Sequence, residues 1–107
     1  MEKDLTYGIL LQIYGELLTK KQQEVASLYY DYDLSLAEIS ENSGISRQAV
    51  LDSLRNACES LRYYEEKLNI LSKNNYLTAQ IEKIRTLAKE KDFEAIDSIL
   101  SEISDNL

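Results

Sequence analysis

LSLAEISENSGISRQAVLDSL, residues 34–54, decides the fold of this 107-residue chain. Ser35 and Glu38 form the pattern of a capping box, in which the serine hydroxyl accepts from the Glu38 amide and the Glu38 carboxylate accepts from the Ser35 amide. Gly44 follows the short helix that this box begins, and glycine adopts the left-handed backbone of a helix end at low cost. Ser46 supplies the cap of a second helix. The stretch therefore predicts a helix-turn-helix.

Apolar residues at helical spacing predict two further helices before this element. A first helix is expected over residues 4–18, with apolar residues that recur at Leu5, Ile9, Ile13 and Leu17. Thr19 and Gln22 repeat the capping-box pattern, so a second helix is expected over residues 20–32. The helix-turn-helix supplies the third, over residues 36–42.

The fourth helix begins at Arg47 and shows no obvious stop signal. Apolar residues recur along it at the alternating spacing of a heptad seam, namely at Val50, Leu54, Ala57, Leu61, Tyr64, Leu68 and Leu71. The later members extend beyond a compact helix-turn-helix. They predict a homodimer whose interface contains Leu61, Tyr64, Leu68 and Leu71. The alternative is a long helix that packs inside its own domain. The pattern breaks over residues 72–75.

Two more amphipathic stretches complete the chain. The first carries Leu77, Ile81, Ile84 and Leu87 or Ala88, and the second carries Phe93, Ile96, Leu100, Ile103 and Leu107. Asp92 caps the second stretch. We therefore expect an all-α fold in two parts. Residues 1–62 form a helix-turn-helix domain, with the motif itself at about 35–57, and residues 63–107 form an extended helix and a helical C-terminal arm.

The composition argues against an enzyme. The chain has no histidine and one cysteine, Cys58, which excludes His-based triads and zinc sites built from histidine and cysteine, and it has no glycine-rich phosphate loop. We expect no catalytic residue, no metal and no cofactor. No apolar run approaches the ~20 residues that a membrane span needs, and the N-terminus lacks a signal-peptide layout. With a single cysteine, the expected location is the cytoplasm.

Charge gives a mixed indication about nucleic acid. DNA-binding proteins commonly carry a basic face, whereas this chain has a net charge of −7. The start of the fourth helix is more favourable, because Ser46, Arg47 and Gln48 lie where side chains reach base edges, and Arg55 lies two turns on, where it can meet a phosphate. We predict that these four residues bind nucleic acid. The alternative is that both arginines are only solvated, and Asp52 on the same helix would repel phosphate.

These residues carry two family resemblances. Residues 18–61 are similar to the region-four helix-turn-helix of bacterial sigma factors, and the whole chain resembles the YlxM family of small bacterial helix-turn-helix proteins. The YlxM match rests on LLTKKQ (17–22), LYY (28–30), the helix start at 34–39, ISRQAV (45–50) and YEEKL (64–68). The resemblance implies a sigma-region-4-like helix-turn-helix without a wing, a long last helix and a helical C-terminal arm. In one departure, Asp52 and Ser53 stand where the sigma recognition helix usually carries basic residues.

The resemblance also implies a function. The YlxM family is proposed to be an accessory of the signal recognition particle pathway, because its genes neighbour that of the particle's GTPase. The first hypothesis is therefore a non-enzymatic regulator that binds this GTPase, its RNA, or both. The second is a sequence-specific DNA-binding transcriptional regulator. The third is a structural interaction protein whose helical arms engage partners while the motif binds no nucleic acid.

Overall fold

The computed structural model describes residues 3–107, which form two compact units that divide after Asn69. The first unit contains α1 (Leu5–Tyr14), a 3-10 turn (Gly15–Leu17), α2 (Lys20–Tyr30), α3 (Leu36–Ser43) and α4 (Arg47–Leu68). The second contains α5 (Ile70–Lys89) and α6 (Phe93–Asp105). No strand occurs in this range, and the predicted all-α fold is confirmed. Within the same residues, no helix combines the length and the apolarity that crossing a bilayer requires.

The predicted caps are present at the helix starts of the first unit. The Ser35 hydroxyl accepts from the Glu38 amide at 3.1 Å, and the Glu38 carboxylate accepts from the Ser35 amide at 3.0 Å. The bond from the Ser35 amide favours the charged carboxylate, so it lowers the pKa of Glu38. Thr19 and Gln22 form the same reciprocal pair at the start of α2. Each box satisfies amides that the first helical turn leaves without partners.

The core of the first unit forms around α4, against which α1, α2 and α3 all pack. Eleven hydrophobic side chains are buried in the described chain, and all of them lie in this unit: Leu10, Leu11, Tyr14, Leu18, Val25, Ala26, Ile39, Val50, Leu54, Ala57 and Leu61. The Tyr14 ring is 1% exposed while its hydroxyl donates to the Glu65 carboxylate at 2.7 Å. The C-terminal half of α4 is therefore held against α1 by this hydrogen bond.

This packing corrects part of the predicted homodimer interface. Leu61 is 0% exposed, so its side chain is unavailable to a second chain. Tyr64 is half-buried within its own unit: its ring centroid lies 6.0 Å from that of Tyr14, and its hydroxyl donates to the Leu17 carbonyl at 3.3 Å. Leu68 is exposed and Leu71, which belongs to the second unit, is half-buried. The start of the predicted seam is covered by the chain's own helices.

The apolar face predicted for the first helix is also wrong. Leu5 and Leu17 are 77% and 55% exposed, whereas Leu10, Leu11, Tyr14 and Leu18 are buried. The α-helix ends at Tyr14, and a 3-10 turn occupies the end of the predicted range. Apolar residues surround α1 on nearly all sides, so spacing alone does not select the face that packs against α4.

The long helix ends earlier than its heptad pattern indicated. Asn69 follows α4 in a left-handed conformation, with φ of 55°, and its amide donates to the Glu65 carbonyl. Asparagine tolerates this backbone better than most residues, so it ends the helix as glycine often does. α5 then runs through residues 72–75, where a break was expected. The compact units divide after Asn69 and not after residue 62, because α4 continues to Leu68 while packing on the first unit.

The second unit is a pair of helices, α5 and α6, that pack on each other. Residues 90–92 connect them, with Lys91 in the left-handed region at φ of 58°. The Asp92 side chain accepts from the Ala95 amide at 3.2 Å, which confirms the predicted cap of α6. Tyr76 and Asn106 join the open ends of the two helices through a hydrogen bond of 3.3 Å.

The burial difference between Leu61 and Leu68 gives a test of this fold. We expect Leu61→Ala to lower the free energy of unfolding by about 2–5 kcal/mol, because it leaves a cavity in the core. Leu68→Ala, at a side chain that is 46% exposed, should change it by no more than about 0.5 kcal/mol. Urea denaturation followed by circular dichroism measures both. Equal losses for the two variants would contradict the packing of α4.

Candidate nucleic-acid interface

Three local features fix the turn between α3 and α4. Gly44 ends α3 in the left-handed region, with φ of 69°, and its amide donates to the Ser40 carbonyl. The Ser40 hydroxyl donates to the Ile45 carbonyl across the turn. Ser46 then begins α4, and its hydroxyl accepts from the Ala49 amide at 3.0 Å. Hydrogen bonds therefore hold the turn at the end of α3, across its middle and at the start of α4, and they fix the direction of α4 relative to α3.

The first turn of α4 is open to solvent. Ser46, Arg47 and Gln48 are all exposed, so the structure places these three predicted residues together at one end of the helix. The Gln48 side-chain amide donates to the Asp52 carboxylate at 2.9 Å. This bond holds the Gln48 side chain along the helix, toward a carboxylate that lies five residues after Arg47.

Arg55 is exposed as well, but it stands apart from the other three predicted residues. Two helical turns separate it from Arg47, a rise of about 12 Å along the axis. It lies at a groove of about 320 Å³ between α2, α3 and α4, lined by Tyr29, Tyr30, Leu36, Leu51, Leu54, Arg55, Cys58, Glu59 and Arg62. Burial raises the pKa of the Cys58 thiol in this groove. Arg55 thus lies at a part of the surface separate from the first turn of α4.

The fold adds two cations that the sequence prediction did not include. Lys20 and Lys21, in the first turn of α2, share a surface groove with Ser43 and Ile45 of the turn. A neighbouring groove joins Thr19, Lys21 and Gln22 to Ala49, Asp52, Ser53 and Asn56 of α4. Both lysines were visible in the sequence. Their nearness to α4 depends on the packing of α2 against it.

The cations around the turn are available to a ligand. Lys20, Lys21, Arg47 and Arg55 are exposed, and none of them forms an ion pair with a carboxylate in residues 3–107. Asp52 and Glu24 are the acidic residues in the grooves beside the lysines. The local balance at the turn is therefore more positive than the chain's net charge of −7 indicates.

Comparison with known proteins agrees with this geometry. Residues 1–105 match the model of the UPF0122 family, which is described as "Putative helix-turn-helix protein, YlxM / p13 like". The chain belongs to the UPF0122 family. The resemblance to YlxM that the sequence carried is thereby confirmed.

Similar relatives occur in several bacteria. A UPF0122 protein of Clostridium kluyveri is 42% identical over 111 aligned residues, which cover the whole of both chains. A UPF0122 protein of Caldanaerobacter subterraneus subsp. tengcongensis is 49% identical over 86 residues, covering 79% of this chain and 74% of that protein. One from Pediococcus pentosaceus is 41% identical over 91 residues, covering 85% of this chain and 80% of that protein.

Two glycines of the first unit test how the turn is held. A Cβ at Gly44 would meet nothing within 4 Å, so Gly44→Ala acts only through the left-handed backbone and should destabilise the protein by about 1–2 kcal/mol. Gly8 lies inside α1, where a Cβ would come no closer than 3.9 Å to Tyr30, so Gly8→Ala should instead stabilise by up to about 1 kcal/mol. Thermal denaturation compares the two. Changes of the same sign in both variants would contradict the conformation of the turn.

Proposed function

We propose that this UPF0122 protein is a non-enzymatic regulator that binds duplex DNA through the start of α4. The observation that supports the proposal is the exposed first turn of α4, which presents Arg47 and Gln48 to solvent, with Lys20 and Lys21 in a groove beside the preceding turn and Arg55 two turns further along α4. A helix-turn-helix commonly places the first residues of its second helix in the major groove. The proposal extends that use to this chain.

The side chains divide naturally between sequence reading and phosphate binding. Arginine pairs with the O6 and N7 acceptors of guanine, and glutamine pairs with N6 and N7 of adenine. Arg47 and Gln48 are the residues in the first turn of α4 that can make such contacts. Lys20 and Lys21 lie beside the turn, and Arg55 lies about 12 Å along α4 from Arg47. All three are therefore better placed to bind backbone phosphates than base edges. Gln48 must release Asp52 before it can pair with a base.

The number of available cations sets the expected salt dependence. Each phosphate that a lysine or arginine neutralises contributes about −0.9 to the slope of log K against log salt on duplex DNA. Three phosphate-binding residues therefore predict a slope of roughly −3. Such a slope is modest for a DNA-binding protein, and we expect tight binding only at low salt or at a preferred sequence.

Association with the signal recognition particle, which the YlxM resemblance implies, stays a prediction. The same basic surface suits the phosphates of a folded RNA. The particle's RNA and its GTPase therefore belong in the binding assay as competitors. Displacement of duplex DNA by the RNA would identify one shared surface for both ligands.

The proposal predicts different effects for the two kinds of contact. In fluorescence anisotropy with a duplex selected from genomic fragments, Arg47→Ala should weaken binding by roughly 5- to 150-fold and relax the preference at one base pair. Lys21→Ala should weaken binding to all duplexes alike and make the salt slope less steep by about 1. Arg85→Ala removes the same charge from the second unit and is the control. If Arg47→Ala behaves like Arg85→Ala, or if selection recovers no enriched sequence, the proposed reading of bases by α4 fails.

Asp52 offers a gain-of-binding test. Asp52→Asn removes a carboxylate that shares a groove with Lys21, while leaving an oxygen that can still accept from Gln48. We expect tighter binding to any duplex, by a factor of roughly 2 to 10, with a greater gain at low salt. Glu66→Gln, at an exposed carboxylate near the far end of α4, should leave the affinity unchanged. If Asp52→Asn does not bind duplex DNA more tightly, repulsion by the Asp52 carboxylate does not limit the affinity.

A further inference from the structure

The second unit lacks a hydrophobic core of its own. In residues 70–107, all of which the structure describes, Gln80 is the one buried residue and no hydrophobic side chain is buried. Several large apolar side chains of the unit are instead exposed, namely Ile70, Ile81, Phe93, Leu100 and Leu107. A unit of fewer than about 40 residues seldom buries enough apolar surface to be stable alone. This pair of helices therefore needs a partner.

Helical spacing groups the exposed apolar side chains of this unit into one stripe on each helix. On α6 and the residues after it, Phe93, Leu100 and Leu107 are spaced by seven and so fall on one stripe. On α5, Ile70, Leu77 and Ile81 form the corresponding stripe. One member of each stripe, Leu77 and Leu107, lines a groove of about 270 Å³ between the two helices, together with Ser72, Lys73, Tyr76, Ile103 and Asn106. We call both stripes together with the groove the open face.

We propose that the open face is covered by the open face of a second copy of this chain, forming a four-helix bundle. Two antiparallel helix pairs that bury apolar stripes against each other make the usual bundle core. The interface would differ from the one predicted along α4, since it involves α5 and α6 in place of Leu61 and Tyr64. It is also independent of the proposed binding to DNA.

Charge favours a second copy as the occupant. α5 carries four basic residues and one acidic residue, for a net charge of +3, whereas α6 carries four carboxylates and no cation, for a net charge of −4. One chain thus holds both halves of a complementary pair. A second copy can place its acidic α6 beside this basic α5, and its basic α5 beside this acidic α6. An apolar partner of one charge sign would complement only one of the two helices.

The same charges select the symmetry of the dimer. A twofold axis parallel to the helices puts each α5 against the other copy's α6, antiparallel, with both connections at the same end. Arg85 and Lys89, beside the connection, then lie near Glu94 and Asp97 of the second copy. A twofold axis across the helices would instead put α5 against α5, which opposes +3 to +3. Like charges across an interface disfavour that arrangement.

The first test is the mass of the full chain in solution. Sedimentation equilibrium at tens of micromolar should give twice the chain mass of 12.3 kDa. Leu100→Glu should raise the dimer dissociation constant at least roughly tenfold, because it places a charge in an apolar interface. Leu5→Glu is the matched control at a more exposed leucine of α1 and should leave the dimer intact. A monomer mass for the unaltered chain, or equal dissociation of both variants, would overturn the proposal.

Charge reversal in trans separates pairing from folding. One variant carries Arg85→Glu and Lys89→Glu, and the other carries Glu94→Lys and Asp97→Lys. Each alone should dimerise roughly tenfold more weakly, since residues 85 and 89 of one chain then carry the same sign of charge as residues 94 and 97 of the other. Mixing the two should restore the dimer, because both contacts between chains become complementary while the repulsion within each chain is unchanged.

Circular dichroism of each variant controls for helix content, because lysine in the first turn of α6 disfavours that helix. Recovery on mixing supports the proposed pairing of α5 with α6. Absence of recovery, with helix content retained, would overturn it. Recovery of a complex larger than a dimer would equally contradict a closed four-helix bundle.

Discussion

Burial of one face of α4 is the constraint on which the first unit depends. Val50, Leu54, Ala57 and Leu61 follow this face, and the three preceding helices pack against the same helix. The first turn of α4, by contrast, leaves Arg47 and Gln48 exposed to solvent. Stability and the proposed binding therefore use different residues of the same helix. A core substitution that rotates α4 by even part of a turn would move both side chains away from the surface of a ligand.

The elements that the sequence predicted correctly are those with local causes. Each cap joins residues no more than three positions apart, and Gly44 needs only its own backbone freedom, so no knowledge of packing was required. The apolar faces were harder to predict from the sequence. Leu61 has the heptad spacing of an interface and also the spacing of a core residue, and the choice depends on whether α1 covers it. Asn69 ended α4 through a conformation that asparagine adopts only in some contexts.

The residues of the candidate site also differ in whether local sequence or tertiary packing determines their position. Arg47 and Gln48 follow directly from the position of Ser46, since residues after an N-cap occupy the first turn. Lys20 and Lys21 lie more than twenty residues earlier and reach the turn only because α2 packs on α4. A single sequence contains no signal for that contact. Spacing likewise hid the lack of a core in α5 and α6, because an amphipathic pattern predicts a buried face without showing what covers it.

The net charge of −7 is a poor guide to binding because its sources are spread over the chain. Exposed charges act over about 8 Å at physiological ionic strength. Asp31 and Asp33 follow the C-terminal end of α2, whereas Lys20 and Lys21 begin it, and a helix of 11 residues separates them by about 16 Å. Asp33 is moreover paired with Lys3, which lowers the pKa of its carboxyl. Phosphates held at the turn would be screened from both acids. Asp52, by contrast, lies between Arg47 and Arg55 in the sequence of α4, so its carboxylate would oppose the proposed binding of phosphates at this surface.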